Sequence, residues 1–137
     1  MNTNVYKTVL KLAGELMDAA KIEDQATFNH LYTELHDVCV SHENSEKDHP
    51  VQWETLADFT EELNDALIIY DKALVKATTI NDKDYMASIA FSMASLHAEL
   101  GQKVQAIKHL ESAQVSAKKI ADKVLKAEIH DMLSKLS

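Results

Sequence analysis

Residues 84–117 read DYMASIAFSMASLHAELGQKVQAIKHLESAQVSA, in which one glycine separates two helical patterns. Before Gly101, apolar residues recur every three or four positions, at Met86, Ile89, Ala90, Met93, Ala94, Leu96 and Leu100. After Gly101 they recur at Val104, Ala106, Ile107, Leu110, Ala113 and Ala117. This spacing is that of one face of a helix, and glycine readily takes the left-handed conformation that ends one. The stretch therefore predicts a helix hairpin that turns at Gly101.

The rest of the chain repeats this hairpin with a period of about forty residues. Small residues coincide at Ala26, Ala66 and Ala106, and leucines coincide at Leu16, Leu56, Leu96 and Leu136. The second and third units also share Ala73 with Ala113, Ala77 with Ala117, Ile80 with Ile120, Asp82 with Asp122, and Lys83 with Lys123. Because one helix pair cannot bury its apolar face alone, such pairs stack. The sequence predicts an all-α fold, a right-handed α-solenoid of three helix hairpins closed by a C-terminal capping helix.

Capping residues bound the individual helices. We expect helices over roughly 4–20, 24–42, 50–63, 65–80, 84–100 and 122–136, with the partner helix of the third unit after Gly101. Asp82 and Asp122 precede new helical patterns and suit N-caps, and Pro50 suits a first helical position. The chain then forms one domain, 1–137, with repeat units at about 4–42, 50–81 and 82–121 and a capping helix at about 122–136.

The charge of the chain excludes one class of partner. The formal net charge is −8, and all 14 basic residues are lysines. Nucleic-acid binding relies on basic patches and on the bidentate guanidinium of arginine. We therefore expect no nucleic-acid partner, and a protein or peptide partner that is neutral or basic.

The cysteine content and the lengths of the apolar runs predict the location of the protein. Cys39 is the single cysteine, so an internal disulfide is impossible and a reducing compartment is favoured. The longest purely apolar run, residues 66–70, is far shorter than a membrane span. Lys7, Lys11 and Glu15 interrupt the first apolar pattern, so no signal peptide is expected. These features predict a cytoplasmic protein with no membrane association.

The pattern of small and large residues resembles that of the tetratricopeptide repeat family, in a variant with long helices. The third unit carries the resemblance most fully, at Met93, Ala94, Gly101, Ala106, Leu110 and Ala113. The second unit shares Trp53, Ala66, Tyr70 and Ala73, whereas the first keeps Ala26 but has His30 and Thr33 at unusual places. The closing proline of each unit is absent. The resemblance implies the superhelical repeat fold described above.

The same resemblance implies a binding groove. In the tetratricopeptide family the first helix of each pair lines a concave surface that holds a peptide or a partner helix. Carried onto this chain, the groove positions are Lys11, Glu15 and Asp18 in the first unit, Thr55, Asp58 and Phe59 in the second, and Phe91, Ser95 and Glu99 in the third. The implied function is that of a cytosolic adaptor or regulatory module for protein–protein interaction.

A cluster of histidines around the cysteine supports an alternative function. His36, Cys39 and His42 are spaced three apart, and His49 follows. Residues three apart on a helix can approach one ion, and these side chains suit zinc or copper. The spacing matches no strong zinc signature, and Cys39 falls on the apolar side of its helix. A metal-responsive helical regulator nevertheless stays an alternative hypothesis.

The sequence shows no recognisable arrangement of catalytic residues. The only glycines, Gly14 and Gly101, cannot form a phosphate-binding loop. His97 precedes Leu100 and Gly101 without the lysine that a phosphotransfer histidine requires. We therefore expect no enzymatic activity and no cofactor. A further alternative is a structural homodimer without a separate ligand, because a short repeat array with an exposed apolar side favours self-association.

Overall fold

The computed structural model describes residues 3–137, which fold into seven α-helices with no strand among them. The helices are α1 (Thr3–Lys21), α2 (Gln25–His42), α3 (Pro50–Asp58), α4 (Leu63–Thr79), α5 (Lys83–Glu99), α6 (Lys103–Ala117) and α7 (Lys123–Leu136). The predicted all-α fold class is confirmed. By its internal contacts the chain divides into two compact units, unit 1 up to Ile69 and unit 2 over Tyr70–Ser137, with the division inside α4.

Unit 1 is built on the hairpin of α1 and α2, against which α3 packs. The buried side chains of the hairpin recur at helical spacing: Val5, Val9, Leu12, Leu16 and Ala19 on α1, and Phe28, Leu31, Leu35 and Cys39 on α2. On α3, Trp53 and Leu56 are also buried. These side chains form an apolar core that stabilises the unit by the area they remove from water.

Unit 2 contains the hairpin predicted from residues 84–117. Helices α5 and α6 pack along each other, and α7 packs against α6. Their core consists of small residues with a few large ones, namely Ala87, Ala90, Ala94, Leu110, Ala113, Ala117, Ile120 and Ile129. Alanines at the contact let helices approach closely while leucine and isoleucine fill the sides. Val104, expected on the packed face, is instead 77% exposed.

Three helices end in the same type of backbone turn. After α1, Glu23 adopts a left-handed conformation (φ 57°), and the N–H of Asp24 donates to the carbonyl of Ala19 at 2.9 Å. The same arrangement recurs at Asn81 (φ 53°) and at Gly101 (φ 75°). This is the Schellman motif, which satisfies carbonyl groups that the helix leaves free. The turn predicted at Gly101 is confirmed.

Side chains begin the next helices. The carboxyl groups of Asp24, Asp82 and Asp122 each accept a hydrogen bond from the backbone N–H three residues on, at 3.0 to 3.2 Å. The hydroxyl and N–H of Thr27 also lower the pKa of the Asp24 carboxyl. Pro50 starts α3, as predicted. The N-caps expected at Asp82 and Asp122 are confirmed, because a carboxylate satisfies the first free amides.

Helix α3 ends five residues earlier than expected. The prediction of a helix to residue 63 is wrong, since α3 stops at Asp58. Past this point the Thr60 hydroxyl lies 2.8 Å from the Leu56 carbonyl and 2.7 Å from the Tyr32 hydroxyl. The ring of Phe59 meets that of Phe28 edge-on, at 6.3 Å between centroids. These contacts hold a non-helical link that the sequence does not mark with Gly or Pro.

The register of the first repeat also differs from the forty-residue alignment. Ala66 and Ala106 are buried, but Ala26 is exposed, and Phe28 takes the buried position. The shared Schellman turns explain this, because Glu23 corresponds to Gly101 and sets the hairpins seventy-eight residues apart instead of eighty. Alignment of the first unit on Ala26 is therefore wrong by two residues.

Candidate functional site

Helix α1 carries apolar residues on two faces. One face, from Val5 to Ala19, packs into unit 1. The second consists of Tyr6, Leu10, Ala13 and Met17, hereafter the α1 row, whose spacing of four, three and four residues follows one side of a helix. A helix that only covers a core needs a single apolar face. The α1 row is therefore apolar surface that packing within unit 1 does not explain.

The α1 row is open to solvent. Leu10 is 51% exposed and Met17 is 63% exposed, while Tyr6 and Ala13 are half-buried. Gly14 lies beside the row, and nothing stands within 4 Å of where its side chain would begin. Single exposed apolar residues are ordinary on protein surfaces, but a row at helical spacing is typical of a surface that receives a partner.

Charged residues form a third face of α1 and change sign along it. Lys7 and Lys11 lie in the N-terminal half of α1, and Glu15 and Asp18 lie in the C-terminal half. By helical rotation, Lys7 and Asp18 are the charged residues nearest the row, Lys11 lies further round, and Glu15 is on the side of the helix opposite the row. Lys11 Nζ is 4.0 Å from Glu15 Oε1, and the lysine side chain is 80% exposed. At such exposure the pair contributes little to stability, so both charges remain available to a partner.

The groove residues predicted on α1 lie on the charged face of the helix. Lys11 and Asp18 are exposed, and Glu15 is partly exposed. All three stand on the charged face, with Asp18 nearest the α1 row and Glu15 furthest from it. The structure thus brings the three together on one face of α1, while the apolar row that the sequence did not single out lies on another face of the same helix.

The groove residues predicted in the second unit are largely engaged within unit 1. The Thr55 hydroxyl donates to the Val51 carbonyl at 2.6 Å. Phe59 follows the end of α3 and packs against Phe28. Asp58, the last residue of α3, is exposed. Phe59 therefore has a packing role that accounts for its presence.

The groove residues predicted in the third unit pack in part against α7. Phe91 contacts the core cluster that includes Ile129 of α7. The Ser95 hydroxyl lies 3.1 Å from the Phe91 carbonyl and 4.0 Å from the Met132 sulfur. Glu99 is exposed at the end of α5. This face of α5 accordingly receives a helix inside unit 2.

The turn-based register shows why the sequence missed the α1 row. A shift of forty residues per unit equates Phe91 and Ser95 with Lys11 and Glu15. The Schellman turns equate them with Ala13 and Met17 instead. The positions that meet α7 in unit 2 thus correspond to the half-buried Ala13 and the exposed Met17 of the α1 row in unit 1. The spacing of Tyr6, Leu10 and Met17 was the available signal, but it was hidden in a helix with two apolar faces.

The residues predicted to bind a metal in the alternative function do not form one cluster. Among residues 3–137 no three His, Cys, Asp or Glu side chains are grouped so that they could hold a metal ion. Cys39 is fully buried, and its sulfur lies 3.2 Å from the Gln52 carbonyl. His49 Nδ1 accepts the backbone N–H of Val51 at 3.1 Å, as an N-cap of α3. His36 Nδ1 lies 3.7 Å from Asp37. This arrangement does not support the metal-responsive function.

The segment between α2 and α3 is held by a polar network. The Asp48 carboxylate accepts the Trp53 indole N–H at 2.8 Å and the Asn44 backbone N–H at 2.8 Å. The buried Gln52 amide donates to the Lys47 carbonyl at 2.6 Å, while its Oε1 atom has no partner. A buried acceptor without a partner is a position for an ordered water. The segment is thus a structural connector.

The fold and the exposed row define a class of protein: an all-helical repeat protein of tetratricopeptide-like fold. No protein-family model matches the chain, and no curated protein matches it. Among solved structures, the crystal structure of PcrH from Pseudomonas aeruginosa is similar, with a TM-score of 0.59 and 17% sequence identity. The similarity covers 99% of this chain and 94% of that chain. At this identity the likeness shows the fold alone. Within residues 3–137, no helix combines the length and apolar character needed to cross a membrane.

Proposed function

We propose that the protein is a protein-interaction module that binds an apolar peptide or an amphipathic helix of another protein along the α1 row. The exposure of Leu10 and Met17 at helical spacing is the observation that carries this proposal. Helix-in-groove recognition uses apolar side chains of the same spacing on the partner. The helical repeat fold, shared with PcrH, supports the same class of function.

The chemistry of the partner follows from the surface. Leu10 and Met17 contribute affinity by leaving water, about 1 to 2 kcal/mol each when a partner covers them. Met17 is flexible and polarisable, so it adapts to apolar side chains of different shape. Asp18 near the row, together with the net charge of −8, favours a partner that is neutral or basic. Of the predicted groove residues Lys11, Glu15 and Asp18, Asp18 is the one placed to contact a partner on the row.

Selection of binding peptides from a random library tests this function. We expect enriched peptides to place apolar residues at helical spacing and to bind the intact protein in calorimetric titration. Replacement of Leu10→Ser together with Met17→Ser should weaken binding at least about tenfold, since roughly 1.4 kcal/mol corresponds to that factor.

The matched control changes two exposed valines of α6, Val104→Ser and Val115→Ser, which are 77% and 65% exposed. This control should bind as the wild type does, because it removes the same kind of surface elsewhere. Equal binding by the α1 variant and the wild type would show that the partner uses another surface. Failure of any peptide to enrich would remove the proposal altogether.

A further inference from the structure

A cleft between the end of α6 and the start of α7 combines an apolar floor with two lysines. Its volume is about 270 Å³, and the nearly buried Ala117 and Ile129 form its apolar part. Lys118, which follows α6, and Lys126 of α7 both line the cleft, together with Gln114. Among the described residues neither lysine forms an ion pair. Both ammonium groups are therefore available to an anion at the cleft.

The cleft lies in a basic segment of an acidic chain. Residues 118–126 contain four lysines and one aspartate, whereas the whole chain has a net charge of −8. The aspartate, Asp122, accepts the backbone N–H of Leu125 at 3.0 Å as the N-cap of α7. Lys119 and Lys123 are exposed in the same segment without lining the cleft, and their charges act over about 10 Å at ordinary ionic strength. The local field thus favours an acidic ligand.

Neither the repeat nor the helix dipole explains both lysines of the cleft. In the forty-residue register set by the N-caps of α5 and α7, Lys118 corresponds to Thr78 and Lys126 to Met86. A cation after the C-terminus of α6 is favoured by the helix dipole, which accounts for Lys118. Lys126 is the fourth residue of α7, near the positive end of its dipole, where a cation gains nothing.

We propose that this cleft binds an acidic segment of another protein, whose apolar side chain enters the cleft while flanking carboxylates pair with Lys118 and Lys126. The lysines select the carboxylates by charge, and the methyl groups of Ala117 and Ile129 receive the apolar side chain. This surface prefers acidic partners, unlike the α1 row, and it does not depend on the proposed function.

The size of the cleft favours a side chain over a free small molecule. A cavity of about 150 Å³ holds a benzene ring, so a cleft of about 270 Å³ accommodates one phenylalanine or leucine side chain. Small-molecule sites usually occupy about 300 to 1,000 Å³ and enclose most of their ligand. Because exposed ion pairs are weak, we expect a dissociation constant in the high micromolar range.

NMR titration of the labelled protein with the peptide acetyl-Glu-Glu-Phe-Glu-Glu-amide tests the proposal at low salt. We expect saturable shifts of the backbone amides around Ala117 and Ile129. The same peptide with alanine in place of phenylalanine, or with glutamine in place of every glutamate, should bind several-fold more weakly. An increase in ionic strength should weaken binding of the acidic peptide as well, because salt screens the lysines.

A variant with Lys118→Glu and Lys126→Glu should bind the acidic peptide at least about tenfold more weakly, because like charges then face each other. The matched control carries Lys103→Glu and Lys108→Glu, two exposed lysines elsewhere on α6, and should bind as the wild type does despite the same change in net charge. Circular dichroism checks that both variants are helical. A variant with Lys118→Gln and Lys126→Gln, which adds no repulsion, should show a smaller loss in the same direction.

Several results would overturn the proposal. These are the absence of saturable shifts, shifts centred outside the cleft, and equal weakening by the cleft variant and the control. Binding of 4-phenylbutyrate as tightly as the peptide would overturn the assignment to a protein segment. Leu10→Ser with Met17→Ser should leave binding of the acidic peptide unchanged, and its loss would show that the peptide uses the α1 row instead. Failure of the α1 row to bind its own peptides leaves this proposal standing.

Discussion

Glu23 and Gly101 occupy the same place in equivalent turns, each left-handed and each followed by the residue that begins the next helix. Their φ angles are 57° and 75°. A residue with a side chain pays a steric cost in this conformation that glycine avoids. The hairpin of α1 and α2 therefore carries local backbone strain that the hairpin of α5 and α6 does not.

Replacement of Glu23→Gly should increase the free energy of unfolding by about 0.5 to 1 kcal/mol, measured by urea denaturation. The reverse change, Gly101→Ala, should decrease it by a similar or larger amount, since only the φ angle and not crowding opposes the new side chain. As a control, Glu111→Gly in the exposed middle of α6 should destabilise by about 1 kcal/mol. A destabilising effect of Glu23→Gly would show that the Glu23 side chain stabilises the turn.

The hydrogen bond between Asp48 and Trp53 predicts that removal of the half-buried Asp48 carboxylate strongly destabilises the protein. Replacement of Asp48→Ala removes both hydrogen bonds and leaves the indole N–H of the buried Trp53 without this acceptor. We expect a loss of about 1 to 3 kcal/mol in the free energy of unfolding. Trp53 is the only tryptophan, so its fluorescence reports the transition directly. The exposed Glu46→Ala should have little effect, and an equally small effect of Asp48→Ala would contradict this role.

Burial lowers the pKa of His109, and the neighbouring charges of His97 and Lys108 add to this, against the opposing effect of Asp71. The rings of His97 and His109 are stacked, with centroids 5.1 Å apart. Because the folded state binds the proton more weakly than the unfolded chain does, His109 contributes stability above the ordinary histidine pKa. That contribution is lost as the pH falls through the lower pKa of the folded state.

We therefore expect the melting temperature to fall between about pH 7 and pH 5, and the fall to be smaller in His109→Gln. His130→Gln changes an exposed histidine and serves as the control, with the pH dependence of the wild type. An unchanged pH dependence in His109→Gln would show that other groups govern the acid response.

The buried position of Cys39 predicts its reactivity. Its sulfur is fully buried beside the Gln52 carbonyl, so a thiol reagent should modify it only as fast as the protein opens. Zinc should leave the melting temperature unchanged, because Cys39 and the three nearby histidines are not gathered around one point. Rapid modification, or a zinc-dependent rise in melting temperature that His42→Ala abolishes, would revive the metal-responsive alternative.

Much of the fold could be predicted because it depends on local signals. These signals are the apolar stripe before Gly101, the capping carboxylates of Asp82 and Asp122, and Pro50 at the start of its helix. Each depends on residues that are close together in the sequence. The end of α3 could not be predicted in this way, because Tyr32 and Phe28 hold the link after Asp58 from another helix. Contacts between residues far apart in the sequence do not show in the periodicity of apolar residues.

The candidate site was predicted less well for a related reason. Alignment on Ala26 assumed equal repeat lengths, whereas a left-handed glutamate set the real register two residues away. Glutamate rarely marks such a turn, so the displacement was not visible in the residue types. The sequence pointed to Lys11, Glu15 and Asp18 on the charged face of α1, but not to the apolar row on another face of the same helix.

Methyl NMR of the methionines tests the central claim most directly. The exposed methyl of Met17 lies in the α1 row, whereas that of Met93 is buried in unit 2 with 4% exposure. On addition of a selected peptide to dilute protein, we expect the Met17 resonance to shift and the Met93 resonance to stay in place. A peptide that binds and leaves Met17 unmoved would contradict the assignment of the α1 row as the partner-binding surface.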